Sequence, residues 1–287
     1  MLSSTPSPEV AACESRLVAW RDEYTKREST TDRARAFLAQ PSTLRRYAVA
    51  RNADAGAAIR ALEATCVWRE AALAPPLNCF ACDADPLASQ HCFFPIGFDD
   101  IGRLVVYGCA ARAANNNAAD AVRHMAACLE HAFSVAGAAR GEDAYQWVWL
   151  LDFKGFGMWH AMQSRTSSAT VNTFSNHFPE RLGAVIMVNP PTVLEILLAV
   201  MRPLLDARTL GKVKTLQATP DTIEAALKPF GITDERQIAF MRTVMKSEAK
   251  PANLPDLKTA FTEDIAHLHL PRLPARPAEE WTKLISP

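Results

Sequence analysis

The residue types best suited to chemistry lie between positions 79 and 92, where Cys79-Phe80-Ala81-Cys82 is followed by His91-Cys92. Two cysteines two apart can grip one metal ion, and a His or Cys pair can complete a tetrahedron around zinc. The reading preferred is unrelated thiols on a loop, because His91 and Cys92 are adjacent and neighbouring side chains rarely point at one ion. A redox role for Cys-x-x-Cys lacks the strand that should immediately precede it. Gly155-Phe156-Gly157 follows an apolar run, as a dinucleotide-binding turn would, but has no third glycine. Neither a P-loop Gly-Lys-Ser/Thr nor a Gly-x-Ser-x-Gly nucleophile elbow occurs. His124, His131 and His160 fall on predicted helices, where histidine is usually surface or satisfied core. No catalytic constellation, resident metal or cofactor follows, and the chain is expected not to be an enzyme.

Composition narrows the remaining classes. With 287 residues, 49% hydrophobic and 22% charged, the chain has room for one large globular domain and a small one. Its formal net charge is zero, so no global field recruits nucleic acid, and attraction to anionic lipid must come from a local patch. The seven cysteines are an odd number and read as free thiols. No run approaches the ~18 apolar residues of a membrane span, and residues 1–9 lack the basic start and apolar stretch of a secretory signal. A cytoplasmic location is expected.

The segment around which the rest is organised runs from 178 to 212. Residues 184–188 form a continuous apolar run with β-branched members, short enough for a strand buried on both faces, and Asn189-Pro190-Pro191 stops it. A helix is predicted over 192–205, with Thr192 and Glu195 at capping-box spacing and Pro203 bending the last turn. Only Glu195 and Arg202 are charged there, and Val193, Leu194, Ile196, Leu197, Val200, Met201 and Leu204 leave no wide polar face. A helix apolar all round must be covered on both sides. At about 21 Å it is too short to cross a bilayer, so one side should meet the core and the other something apolar that is not core. The plain alternative is a central helix of an ordinary α/β domain.

The remaining elements frame this one. Val10, Cys13, Leu17, Trp20 and Tyr24 recur every three or four residues, giving a first helix with one apolar face. A second helix is predicted over 41–50, and a third begins at the N-cap Asp54 with Ile59, Leu62 and Cys66 on one stripe. Strands over 104–109, 147–151 and 184–188 alternate with helices over 118–136 and 158–176, which implies a mainly parallel sheet with right-handed crossovers. A strand over 213–218 and helices over 221–228, where Asp221 and Glu224 are capping-spaced, and 234–246 follow. The Pro-rich tail contains Pro271-Arg-Leu-Pro274-Ala-Arg276, which fits the PxxPxR ligand of an SH3-type groove, although a plain extended tail is preferred.

Several stretches together carry a likeness. These are Arg46-Tyr47 through Asp54 with Trp68-Arg69, Asp99-x-x-Gly102-Arg103, Asp152-x-x-Gly155, Pro179-Glu180-Arg181-Leu182-Gly183, Asn189-Pro190, and Arg202 to Asp206 leading to Thr209 and Lys212. The chain resembles the CRAL-TRIO lipid-binding, phosphatidylinositol-transfer-like family. Asn52 stands where the family has a cation and Ala53 where it usually has an aromatic, and beyond Lys212 only Pro251 to Pro255 keeps a likeness. The resemblance implies an α/β fold whose mainly parallel sheet floors an apolar cavity closed by a gate helix, behind a small N-terminal helical subdomain. The boundaries so implied are a helical subdomain over 1–75, a linker over 76–102, the lipid-binding domain over 103–260 and the tail over 261–287. It further implies a pocket and gate of Leu150, Met187, Val193, Leu194, Leu197, Val200, Met201 and Leu204, and a headgroup set of Arg51, Glu180, Thr209 and Lys212. Arg51 and Glu180 as an internal ion pair is the structural alternative. The expected partners are a phospholipid, phosphatidylinositol being one candidate, or another hydrophobic ligand, with transient contact to membranes. Other readings are a non-transferring adaptor of the same fold, a carrier of a single-chain isoprenoid such as a retinoid or tocopherol, and an α/β enzyme with polar residues in its pocket.

Overall fold

The computed structural model describes residues 5–40, 42–74, 93–109, 117–140, 146–162, 164–205, 207–247 and Leu268. Cys79, Cys82, His91 and Cys92, the segment 251–255 and the Pro-rich motif at 271–276 lie outside the described residues. The chain divides into two compact units, one of Met1–Pro75 with Thr173–Arg181, the other of Pro76–Asn172 with Leu182–Pro287.

The first unit is helical: α1 (Pro8–Tyr24), α2 (Asp32–Ala39), α3 (Thr43–Ala50) and α4 (Ala55–Ala72). Local chemistry fixes the starts. Ser7 accepts from the Val10 amide with Pro8 in the first turn, Thr31 accepts from Ala34 and Asp54 from Ala57, so three of the four helices carry a side-chain cap. Helix α2 was not anticipated, because eight residues give its apolar stripe barely two turns to repeat. Leu17, Leu38, Tyr47, Ala58 and Leu62 are fully buried at the centre. Between α3 and α4 the chain reverses through Asn52 and Ala53, both at positive φ (49° and 61°). Asparagine tolerates that region and so suits position 52, whereas Ala53 adopts it at a steric cost.

The second unit is an α/β layer. Its strands are β1 (Phe94–Phe98), β2 (Leu104–Cys109), β3 (Trp147–Asp152), β4 (Leu182–Val188) and β5 (Val213–Leu216), and they lie side by side in chain order. Strand β1 is antiparallel to β2, and the other three pairings are parallel. The antiparallel strand falls in the stretch expected to be linker: Pro95 and Gly97 hid it, and a register shift between them shows why the pattern was irregular. Helices α5 (Ala118–Arg140), α6 (Met158–Met162), α7 (Ser164–His177), α8 (Leu194–Met201) and α9 (Ala207–Gly211) fill the crossovers, and α10 (Ile223–Leu227) and α11 (Glu235–Lys246) follow β5. Each crossover advances one strand in the same direction, so right-handed connections place their helices on one face of the sheet. The opposite face is taken by α11, whose Phe240 ring meets Tyr107 edge-on at 5.0 Å.

Several polar groups inside the first unit are paired. Tyr47 donates its hydroxyl to Thr65 Oγ1 at 2.8 Å, and Thr65 Oγ1 lies 3.0 Å from Nδ1 of His177. The His177 ring stacks on Trp68 with centroids 4.3 Å apart, and Arg69 sits over the Phe37 ring at 4.5 Å. Burial, then the Arg69 and Arg51 charges, bring the His177 pKa from an ordinary 6.5 down to about 4. Over that interval the unfolded chain binds a proton that the folded chain refuses, so the neutral ring's contribution is complete above about 6.5 and is lost as pH falls toward 4. Urea midpoints should therefore decline through this window, and His177→Gln should flatten that part of the decline; an identical slope in the variant would show that His177 does not titrate there.

Candidate functional site

Three polar junctions at strand ends set the frame of the second unit. Asp99 closes the β1–β2 hairpin: its buried carboxylate accepts from the Ile101 amide (3.2 Å), the Arg103 amide (2.7 Å) and Arg103 Nε (2.6 Å), while Gly102 takes φ 84°. At the end of β3, Asp152 accepts from Tyr107 Oη at 3.0 Å and from the Lys154 amide at 2.9 Å. Burial, reinforced by the Asp152 charge, raises the Tyr107 pKa well above its ordinary value and keeps the phenol a donor. Lys154 Nζ crosses to the carbonyls of Val244, Met245 and Ser247 at the end of α11, where an ammonium complements the helix dipole. After β4, Asn189 takes φ 51°, donates Nδ2 to Ala218 O (2.9 Å) and accepts from the Ala218 amide (2.8 Å), adding a side-chain rung past β5. Gly183 is required by close approach: a Cβ there would meet Arg103 Cδ at 3.0 Å and Trp147 O at 3.2 Å.

On this frame the two faces of the sheet are filled differently. Val105, Tyr107, Val148, Leu150, Ile186 and Val188 occupy one face by strand alternation and parallel register, and all are fully buried. The other face meets α8. Around α8, Val185, Met187 and Leu194 are buried and Trp149, Leu151, Phe153, Phe156, Leu182, Leu197, Leu198 and Val213 only partly so, whereas Leu104, Val106 and Trp147, farther along the same face, are fully buried. Protein interiors are close-packed, so an apolar layer in which eight of eleven side chains keep some exposure lacks protein neighbours over part of its surface.

Helix α8 is shorter than expected. Its N-cap is Val193, with no side-chain cap, and the predicted Thr192–Glu195 capping box does not form. Instead the carbonyls of Pro191 and Thr192 accept from the amides of Leu194 (2.9 Å) and Glu195 (3.1 Å), so a backbone turn starts the helix. Arg202–Leu204 continues as a 3₁₀ turn with Pro203 inside it. Glu195 lies 3.9 Å from Arg202, both well exposed. Similarly, Asp221 does not cap α10, whose N-cap is Thr222, and Glu224 pairs with Arg242 at 2.7 Å.

Of the expected pocket residues, Met187, Leu194 and Leu197 belong to the loose layer. Leu150 does not: it lies on the fully buried face, because residues adjacent in a strand point to opposite sides. Trp149 and Leu151 take its place. Val193 sits half-buried in the turn before α8, Met201 is buried with its sulfur 3.8 Å from Ser168 Oγ, and Val200 and Leu204 point outward. Arg51 caps the end of α3, its Nη1 donating to Ala50 O at 3.4 Å, and Glu180 takes φ 59°; both belong to the first unit. Thr209 and Lys212 belong to the second and flank the turn into β5, where the Lys212 amide donates to Thr209 O at 3.0 Å and Lys212 O accepts from the Val185 amide at 3.0 Å.

His124 and His160 are engaged structurally. His124 Nε2 is 3.4 Å from Cys128 Sγ, both buried, and His160 Nδ1 accepts from the Gly157 amide at 3.1 Å. Cys13, Cys66, Cys109 and Cys128 are free thiols, and burial pushes the Cys66 thiol up to about 11. Among the described residues no group of three or more His, Cys, Asp or Glu could hold a metal ion, and no helix is long and apolar enough to cross a membrane.

The family model for the CRAL/TRIO domain matches residues 88–229, the interval holding the sheet and α8. The chain carries a CRAL/TRIO domain. The crystal structure of Sfh5 resembles it with a TM-score of 0.56 at 14% identity, covering 77% of this chain and 84% of that one, which is a likeness of fold. A search of curated proteins returns no match. The CRAL/TRIO match supports lipid binding or transfer in general, and proteins of this family are generally lipid carriers rather than enzymes.

The unequal packing of the two faces of the CRAL/TRIO sheet has a measurable consequence. Leu150→Ala should cost about 2–5 kcal/mol of unfolding free energy, the range for a large-to-small change in a closed core. Leu197→Ala should cost less than about 1.5 kcal/mol, because its side chain is already partly solvated. Equal losses in urea unfolding would mean that the layer under α8 is as tightly filled as the other.

Proposed function

We propose that the protein holds one hydrophobic lipid, a phospholipid in the first instance, against the sheet beneath α8, and exchanges it at membranes. The observation that carries this reading is the partly exposed apolar layer of Trp149, Leu151, Leu197 and their neighbours. Its members are apolar side chains, so what it can hold is hydrocarbon. Two acyl chains of about 16 carbons carry on the order of 25 kcal/mol of transfer free energy at ~0.8 per methylene, so such a guest needs enclosure rather than an open surface. Helix α8 acts as the gate. When it swings outward at a bilayer, Leu194, Leu197 and Met201 meet lipid instead of water.

Thr209 and Lys212 are assigned to the headgroup, Lys212 as a point charge for a phosphate and Thr209 as a hydroxyl donor. Arg51 and Glu180, expected from the family resemblance, are each tested by their own substitution. A second reading has specific support: the layer is rich in rings, with Phe153 and Phe156 centroids 5.1 Å apart and Trp149 meeting Phe93 edge-on at 5.5 Å. Aromatic walls suit a rigid unsaturated isoprenoid as well as an acyl chain.

Mass spectrometry of organic extracts from the purified protein decides between them. A phospholipid near one per chain is the expected result, an isoprenoid supports the second reading, and no co-purifying lipid at all removes both. Leu197→Asp, which sets a carboxylate against the layer, should abolish the recovered lipid. Lys212→Ala should weaken phosphoinositide binding with unchanged folding, and unaltered binding would reject its assignment.

A further inference from the structure

His160 differs from His124 and His177 in what its ring leaves over. The Gly157 amide donates to Nδ1 at 3.1 Å, and a backbone N–H can only donate, so Nδ1 holds a lone pair and the proton of the neutral ring sits on Nε2. The same bond fixes the side chain. Gly157 immediately precedes α6 and its carbonyl accepts from the His160 and Ala161 amides, so the imidazole reaches back to the start of its own helix as the Glu or Gln of a capping box does. The half-buried ring lies along that of Phe156, with centroids 5.5 Å and planes 24° apart, and Trp159 meets it edge-on at 5.0 Å. Phe156 belongs to the partly exposed apolar layer, and α6 lies against α8. A donor of fixed tautomer therefore stands at the border of that layer, and among the described residues nothing accepts from it.

We propose that His160 is a specificity residue of the lipid site, its Nε2–H donating to an uncharged oxygen that adjoins the hydrocarbon of the guest. This rests on the lipid reading above and adds to it a choice between oxygenated lipids and bare hydrocarbons. A guest seated against Phe156 and the neighbouring ring displaces water from Nε2. One without an acceptor there leaves the donor unpaired, and one with an oxygen satisfies it, a difference of about five- to a hundredfold in affinity. A neutral donor stacked on an aromatic ring suits an ester carbonyl or a hydroxyl, whereas a phosphate is served better by a cation. The ester carbonyl of a phospholipid and the hydroxyl of an isoprenoid alcohol supply the same acceptor chemistry.

The test titrates the full chain, stripped of lipid, with two pairs of probes. One is a diester phosphatidylcholine against its diether analogue, which lacks only the carbonyl oxygens, and the other is phytanol against phytane, which lacks only the hydroxyl. Wild type is compared with His160→Phe, which keeps a ring against Phe156 and has no donor. Wild type should bind the oxygenated member of at least one pair about fivefold or more tightly, and the pair that shows this preference tells a carbonyl from a hydroxyl. In His160→Phe the preference should fall to near unity while the oxygen-free member binds as before. Because the readout is a ratio within each pair, a general loosening of the site by loss of the Gly157 bond does not imitate it. Equal binding within both pairs by wild type overturns the proposal whether or not the variant folds. A preference that survives in His160→Phe, or an equal loss for both members of a pair, which marks a purely structural ring, overturns it too. Wild type that binds none of the four probes would remove the lipid reading itself and the proposal with it.

Discussion

A helix with apolar side chains on every face is stable in water only when both of its sides are covered, and on α8 Ile196 and Val200 stay exposed. Much of the architecture of the second unit follows from this. Inward, Leu194 is buried and Leu197 and Leu198 are partly so. Outward, Ile196 and Val200 are exposed. A sheet face completed entirely by protein looks like the opposite side, where Val148, Leu150, Ile186 and Val188 have no exposure at all. The contrast within one sheet is more informative than either face alone, because strand pairing, twist and register are common to both.

An incompletely filled layer can persist only if the frame around it does not collapse inward, and the polar junctions supply that rigidity. Asp99 fixes the hairpin, Asp152 ties β2 to the loop after β3, and Asn189 extends the β4–β5 ladder. Lys154 joins that same loop to the end of α11 on the filled side. Hydrogen bonds to charged groups are worth more than neutral ones, and buried members cost dearly when a partner is lost, so these joints favour one arrangement of strands. The motifs that most resemble the family are accordingly parts of the scaffold. Arg46-Tyr47, Trp68-Arg69 and Asp99-x-x-Gly102-Arg103 hold helices and turns in place.

This explains how far the sequence could be read. The sheet was legible because its strands are continuous apolar runs: residues 104–109 match β2 at both ends, and β3 and β4 differ from the expectation by one and two residues. Helices with strong caps were legible too, as at Asp54 and Asp234. What failed was what periodicity cannot express. Strand β1 was concealed by Pro95 and Gly97, the capping box at Thr192 gave way to a backbone turn set by two prolines, and Leu150 was placed on the wrong face because a run apolar at every position does not say which residues point where. The proposed headgroup residues came from resemblance alone, since residues so far apart in the chain leave no local pattern.

The same features bear on why α8, and not another element, would be the one to move. Its eight residues have no side-chain cap, the turn that follows is 3₁₀, and the ion pair of Glu195 with Arg202 is solvent-exposed at 3.9 Å and worth at most about 1 kcal/mol. Elements with few buried apolar contacts open locally at a fraction of the global free energy. On the filled face, α11 has the opposite character: Asp234 caps it, Lys154 binds its last carbonyls, and Ile238, Phe240, Met241 and Val244 are buried. Opening α8 in water exposes Leu194 and Met201 at an apolar cost of several kcal/mol, whereas at a bilayer those groups pass from one apolar medium to another and most of that cost disappears. If α8 is the gate proposed above, its surroundings would set its closed-to-open equilibrium, and no separate trigger would be required.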